Sequence, residues 1–267
     1  MGHPQALQIA IDGPAGAGKS TVARKLADHL GYLYIDTGAM YRASTWLALK
    51  NDIPLTDGDA IAALASKSNI QLKPADESSD GKIRVFVDGQ EITREIRTQR
   101  MSELTAGIAA LGQVRAVLVE KQRELAREGF CVIDGRDIGT VVMPDAGLKV
   151  FLTASPEERA RRRQKELAAQ GETPDFEALL KAINERDYLD CNRAVSPLMR
   201  AVDAVELITD NMTIDDVVLE LEKLAKEAFQ PAPAPAQPRA HERESASALT
   251  DFQDLPEFQE LPEAQEV

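Results

Sequence analysis

The stretch Gly13-Pro14-Ala15-Gly16-Ala17-Gly18-Lys19-Ser20-Thr21 constrains this chain more than any other part of it. It opens with glycine, four residues and Gly-Lys-Ser, and it stands between an apolar run ending at Ile11 and a helical stretch opening at Lys19. In a strand, glycine turn and helix of that kind, backbone N–H groups converge on phosphate oxygens and the helix N-terminus adds its positive end. Lys19 is then placed to reach the β- and γ-phosphates of a nucleoside triphosphate, and the Ser20 hydroxyl to ligate Mg²⁺. Residues 13 to 21 are the expected triphosphate contacts, with Lys19 also catalytic and Ser20 the expected metal ligand.

A loop of this type needs a strand–helix scaffold around it, and the rest of the pattern supplies one. Apolar runs at Leu7–Ile11, Tyr32–Ile35, Cys131–Asp134, Leu148–Leu152 and Val205–Ile208 predict five strands, apolar on both faces as buried parallel strands are. Helical stretches are predicted at Lys19–Leu30, Ala39–Lys50, Val114–Arg127, Pro156–Gln170 and Thr213–Ala228. This alternation argues an α/β domain with a parallel sheet. Between Asn69 and Thr98 the pattern changes to short period-2 runs, Ile70-Gln71-Leu72 and Ile83 to Val87, followed by Asp88-Gly89. That predicts a small antiparallel unit, part of an insert over roughly residues 39 to 115, with the core in 1–38 and 116–229.

Forty-four acidic and 31 basic side chains give a net charge of −13, which repels a nucleic-acid polymer. The charge is uneven. Residues 230–267 hold eight acidic side chains and two basic ones, Arg239 and Arg243, a net of −6. They begin with alternating Pro and Ala and end in a repeat, Phe252-Gln253-Asp254-Leu255-Pro256-Glu257 and Phe258-Gln259-Glu260-Leu261-Pro262-Glu263. The expectation is a disordered, solubilising tail, or a docking motif shown twice to a protein partner. Two cysteines, Cys131 and Cys191, are too few for a disulfide framework, so a reducing cytoplasm is expected. The apolar stretch Ala6–Ile11 is too short for a signal peptide. No run reaches the roughly 18 apolar residues of a membrane span.

The use made of the triphosphate can be narrowed. No Asn is followed by Lys, as a guanine-reading Asn-Lys-x-Asp element requires, and no apolar strand ends in Asp-Glu as in many mechanical ATPases. Between Arg136 and Arg200 there are eight arginines and three lysines. Planar guanidinium forks suit a second phosphate held opposite the first, so the inventory points to a small-molecule phosphotransferase. A kinase for some other small acceptor, and a nucleotide-dependent binding module with a recruiting tail, stay open at this point.

Three further motifs follow in order: Asp36-Thr37-Gly38-Ala39-Met40-Tyr41-Arg42, Asp134-Gly135-Arg136-Asp137-Ile138-Gly139-Thr140, and Glu185-Arg186-Asp187-Tyr188-Leu189-Asp190-Cys191-Asn192-Arg193. Together with the glycine loop they resemble the bacterial cytidylate kinases, over residues 7 to about 228. The resemblance implies phosphoryl transfer from ATP to CMP or dCMP, a P-loop fold of three layers with five parallel strands, and a substrate-binding insert. It also implies a lid at about 155–172 and a tendency to monomers. Arg42, Arg136 and Arg193 would grip the acceptor phosphate, Arg186 and Asp190 the ribose, and Asp137 and Arg115 the cytosine, with Thr37 and Tyr41 near the acceptor. Thr37 could equally be a helix cap. Arg159 and Arg162, in Glu157-Glu158-Arg159-Ala160-Arg161-Arg162-Arg163, would reach the transferring phosphate as the lid closes; the alternative is a solvated helix face on which Glu157 and Glu158 pair with Arg161 and Arg162 at i, i+4. A hydroxyl expected beside the base is replaced by Ala106, next to Thr105.

Overall fold

The computed structural model describes residues 8–76, 79, 81–169 and 171–229. The proline-rich tail and its repeat lie outside these. The main sheet has five parallel strands, β1 (Gln8–Asp12), β2 (Leu33–Asp36), β6 (Cys131–Gly135), β7 (Leu148–Thr153) and β8 (Val205–Ile208), in the order β2-β6-β1-β7-β8. Helices α1 (Lys19–Leu30), α2 (Thr37–Lys50), α5 (Gly112–Ala126), α6 (Pro156–Ala169) and α8 (Ile214–Ala228) fall on the predicted stretches. Helices α3 (Gly58–Lys67), α4 (Gln99–Ile108) and α7 (Phe176–Asn192) were not anticipated.

Alternation along the strands decides which layer each residue joins. Ile9, Ile11 and Val132 pack with Val22, Leu26, Val218 and Leu221 of α1 and α8, whereas Ala10, Cys131 and Ile133 face Met40, Leu47, Val114 and Leu118 of α2 and α5. The result is three layers, helices on both faces of one sheet. The inserted sheet has the order β3 (Ile70–Lys73), β4 (Arg84–Val87), β5 (Gln90–Glu91) and is antiparallel as expected. Its hairpin turns on Asp88 and Gly89, both at positive φ (50° and 84°), the backbone of a type I′ turn. Val85, Val87 and Ile92 are buried in the same cluster as Ile35 and Ile133, so the insert shares the core of the main sheet.

One burial expectation fails. β8 is the edge strand, bonded only to β7, and Val205 and Ile208 remain 41% and 60% exposed. At the opposite edge Leu33 of β2 is likewise exposed. Among the described residues no single helix is long and apolar enough to cross a membrane.

Helix α8 closes the layer beneath the phosphate loop and is fixed at its start by a capping box. The Thr213 hydroxyl accepts from the Asp216 N–H, and the Asp216 carboxylate accepts from the Thr213 N–H. Replacing Thr213 with alanine leaves an N–H of the first turn unpaired and should cost about 1 kcal/mol. Urea unfolding of Thr213→Ala checks this: the midpoint should fall while the slope with denaturant stays unchanged.

Candidate active site

All five parallel strands point their C-terminal ends to one edge, so the segments following them meet there. β1 ends at Asp12 and hands directly to Gly13. At Gly13 φ is +150°, and a Cβ would drive into the Leu152 backbone carbonyl on β7, so only glycine fits. Gly16 and Gly18 also have positive φ, curling the loop over the N-terminus of α1. Lys19 is buried beneath that loop and its Nζ donates to the Pro14 carbonyl at 2.7 Å. Burial, then the Arg136 guanidinium, pull the Lys19 ammonium well below its usual range, against the attraction of Asp134 and Asp12. A desolvated cation held beside another cation is a site with a deficit of negative charge.

β6 lies between β2 and β1, and its register sets Asp134 beside Asp36 on one side and Ile11 on the other. The Ser20 hydroxyl donates to Asp134 Oδ2 and the Tyr34 hydroxyl to Oδ1, both at 2.8 Å. Burial, reinforced by Asp36, raises the Asp134 carboxyl to about 6. The residue types alone gave Asp134 no role. Asp134 belongs to no Asp-Glu strand end; its significance lies in the pairing of β6 with β1, the strand that leads through the loop to Ser20 at the start of α1. Asp36 caps α2 by accepting from the Ala39 N–H at 2.8 Å and also accepts from Arg42 at 3.1 Å. The cap is therefore Asp36 and not Thr37. Thr37 is buried and donates to the Asp134 carbonyl at 2.8 Å, tying α2 to β6.

Beyond β6 the chain passes through Arg136 and Asp137 into a short wide-turn helix, Ile138–Val142. Asp137 is buried against Arg115, which donates to it directly, and Arg193 stands 3.7 Å from its other oxygen. The Arg115 guanidinium lies 5.5 Å from the Tyr41 ring centre. Burial raises the Tyr41 phenol to about 12, and burial next to Arg115 draws Arg193 below its ordinary value. Five buried side-chain atoms among the described residues have no hydrogen-bond partner, and four are Tyr41 Oη, Arg42 Nε, Arg115 Nε and Arg193 Nη2. Orphaned donors of this kind are costly unless a ligand meets them.

A second group is centred on Asp190, buried on α7. It accepts from Arg136 Nε at 2.8 Å and from Arg186 Nε at 3.4 Å. Burial alone would raise its carboxyl, but Arg136 and Arg186 outweigh that and hold it below the usual range. The structure thus brings Tyr41, Arg115, Asp137 and Arg193 together, and Arg136, Arg186 and Asp190 together.

The two α6 arginines expected at the transferring phosphate, Arg159 and Arg162, are already occupied. Arg159 is buried, donates to the Ala154 and Ala15 carbonyls at 3.0 Å, and forms a two-pronged pair with Asp187 at 3.0 and 2.6 Å. Asp187 adjoins Arg186 in sequence, yet its partner in the structure is Arg159, 28 residues away on another helix. Arg162 donates to Glu158 at 3.0 Å and to Thr209 at 3.1 and 2.6 Å. Of the two expected glutamate partners, Glu158 takes both Arg161 and Arg162. Thr105 does not replace the missing hydroxyl at Ala106: it is buried, donates to the Met101 carbonyl at 2.7 Å and meets Thr45 at 3.0 Å.

Residues 9–227 match the family model described as cytidylate kinase. The cytidylate kinase of Desulforamulus reducens is 55% identical over 210 residues, 79% of this chain and 92% of that protein. The cytidylate kinase of Shouchella clausii is 52% identical over 219 residues, 82% and 96% respectively. Among solved structures, a shikimate kinase from Bacteroides thetaiotaomicron superposes with a TM-score of 0.41 at 16% identity, covering 82% of this chain and 98% of that one. On the family match and the identity of these relatives, the chain belongs to the cytidylate kinase family.

Proposed function

We propose that the two clusters at the sheet edge divide the cytidylate kinase reaction between donor and acceptor. The chain is a nucleoside monophosphate kinase that transfers a phosphoryl group to CMP or dCMP. ATP is the donor, seated on residues 13 to 21, with Lys19 against its β- and γ-phosphates. The hydroxyl of Ser20 and the carboxylate of Asp134 are hard oxygen donors already in contact, which suits them to hold Mg²⁺ directly or through water. When bound, that ion would neutralise negative charge on the triphosphate.

The observation that carries the acceptor assignment is the set of orphaned donors on Tyr41, Arg42, Arg115 and Arg193. Arg42, Arg136 and Arg193 fit the acceptor phosphate, Arg186 and Asp190 its ribose, and Thr37 the adjoining wall. Arg115 and Asp137 side by side present a donor next to an acceptor. Cytosine offers the complement, an exocyclic amine beside a ring acceptor, and uracil reverses that order. The CMP phosphate is anionic before it attacks, so no strong general base is needed. The protein's work is alignment and charge neutralisation. Arg159, locked to Asp187 and the Ala15 carbonyl, supports the donor loop, and Arg162 stands beside Gly18 of the same loop, so both lid arginines border the triphosphate seat.

Two variants test these roles in a coupled assay for ADP release. Lys19→Met should lower kcat with CMP by ~10²-fold or more, the scale for removing a preorganised charge from a transition state. Activity near wild type would remove Lys19 from the reaction. Asp137→Asn should narrow the ratio of kcat/KM for CMP over UMP by at least ~10-fold, since the amide can now accept or donate. An unchanged ratio would overturn the base assignment.

A further inference from the structure

Asp12 reaches neither phosphate loop ligand nor base in the scheme above, yet it occupies the joint between the two halves of the site. It is the last residue of β1 and immediately precedes Gly13. It is buried, and both carboxylate oxygens are used: Oδ1 accepts from the Ile138 N–H at 2.8 Å and Oδ2 from the Gly139 N–H at 2.7 Å. Those N–H groups open the short helix that follows Arg136 and Asp137.

The backbone pairing of β1 with β6 stops at Asp12 and Gly135. Past that point no ladder bond fixes residues 136–139 to β1. The Asp12 side chain continues the connection for one more turn, where Arg136 and Asp137 leave the sheet. A carboxylate is a costly choice in this place, because burial raises it to about 6 and Asp137 repels it. A neutral side chain could not accept both N–H groups with the same geometry.

We infer that Asp12 is a positioning residue that pins the turn bearing Arg136 and Asp137 to the strand launching the phosphate loop. It sets the aim of Asp137 at the base and the spacing of Arg136 from Lys19. The inference rests on Asp137 reading the base, and the test separates the two. Asp12→Asn keeps the size of the side chain but turns an NH₂ toward one backbone N–H. With purified full-length protein, the expected result is at least a ~10-fold loss in kcat with CMP, the scale of a small misplacement of reacting groups. The CMP-over-UMP ratio should fall with it, while Kd for a fluorescent ATP analogue stays within about twofold.

Gly139→Ala provides a second approach, because the new Cβ would sit 3.4 Å from Asp12 Oδ2 and 3.2 Å from Lys149 Cδ. It should move the CMP-over-UMP ratio in the same direction and serves alone where Asp12→Asn does not fold. If both variants keep the wild-type ratio while Asp137→Asn loses it, the inference is overturned and base reading stands. A ratio unchanged in Asp137→Asn as well overturns base reading, and this inference with it. A lowered melting temperature with an intact ratio marks Asp12 as merely structural and also overturns the inference.

Discussion

Buried charge at the C-terminal edge of the sheet is the constraint on which the rest of this protein depends. Asp12 and Asp36 end β1 and β2, Asp134 lies one residue before the end of β6 between them, and each is less than a tenth exposed. Desolvation disfavours their charged forms, and like charge adds to it, from Asp36 on Asp134 and from Asp137 on Asp12. Each is retained because donors surround it: Ile138 and Gly139 N–H for Asp12, Ala39 N–H and Arg42 for Asp36, and the Ser20 and Tyr34 hydroxyls for Asp134. Donors on a loop, a helix start and a neighbouring strand are thereby locked to one edge. The sheet supplies the spacing, and the carboxylates convert it into fixed positions for the segments that follow.

The same edge carries an excess of cations that the protein does not fully satisfy. Lys19 lies beneath its loop beside Arg136, and Arg115 and Arg193 crowd one face of Asp137. Their mutual repulsion is a standing cost in folding free energy, offset when phosphates arrive. An acidic chain can therefore take anionic substrates, since local arrangement and not total charge decides binding. The −13 net charge describes the exterior and the tail more than the site.

Much of the fold is legible in the sequence because buried parallel strands are written as unbroken apolar runs and the glycine loop pins the first strand–helix pair. The Asp88-Gly89 turn is legible for a similar reason, being one of few dipeptides that take two positive φ angles cheaply. Helix α7 is not legible: of its 17 residues only Asp190 is buried, so no apolar stripe announces it. β8 misleads in the opposite way, since Val205 and Ile208 read as core yet lie on an edge. Among site residues, those inside local motifs can be found in one dimension. The roles of Asp12, Asp134 and Asp187 cannot, even though the last two stand within such motifs, because each works through a partner more than 25 positions away, across a strand register or a helix pair.

The chain belongs to the cytidylate kinase family, and the proposed reader of its base is the paired donor and acceptor of Arg115 and Asp137. The most direct measurement is kcat/KM of the wild-type chain with CMP, dCMP, UMP and AMP as acceptors, at saturating ATP and Mg²⁺. CMP and dCMP should be the best acceptors, with UMP poorer because uracil reverses the order of donor and acceptor, and AMP poorer still because its two-ring base carries the matching amine and ring acceptor farther from the sugar. A chain that phosphorylates UMP or AMP as efficiently as CMP would contradict this reading of the base.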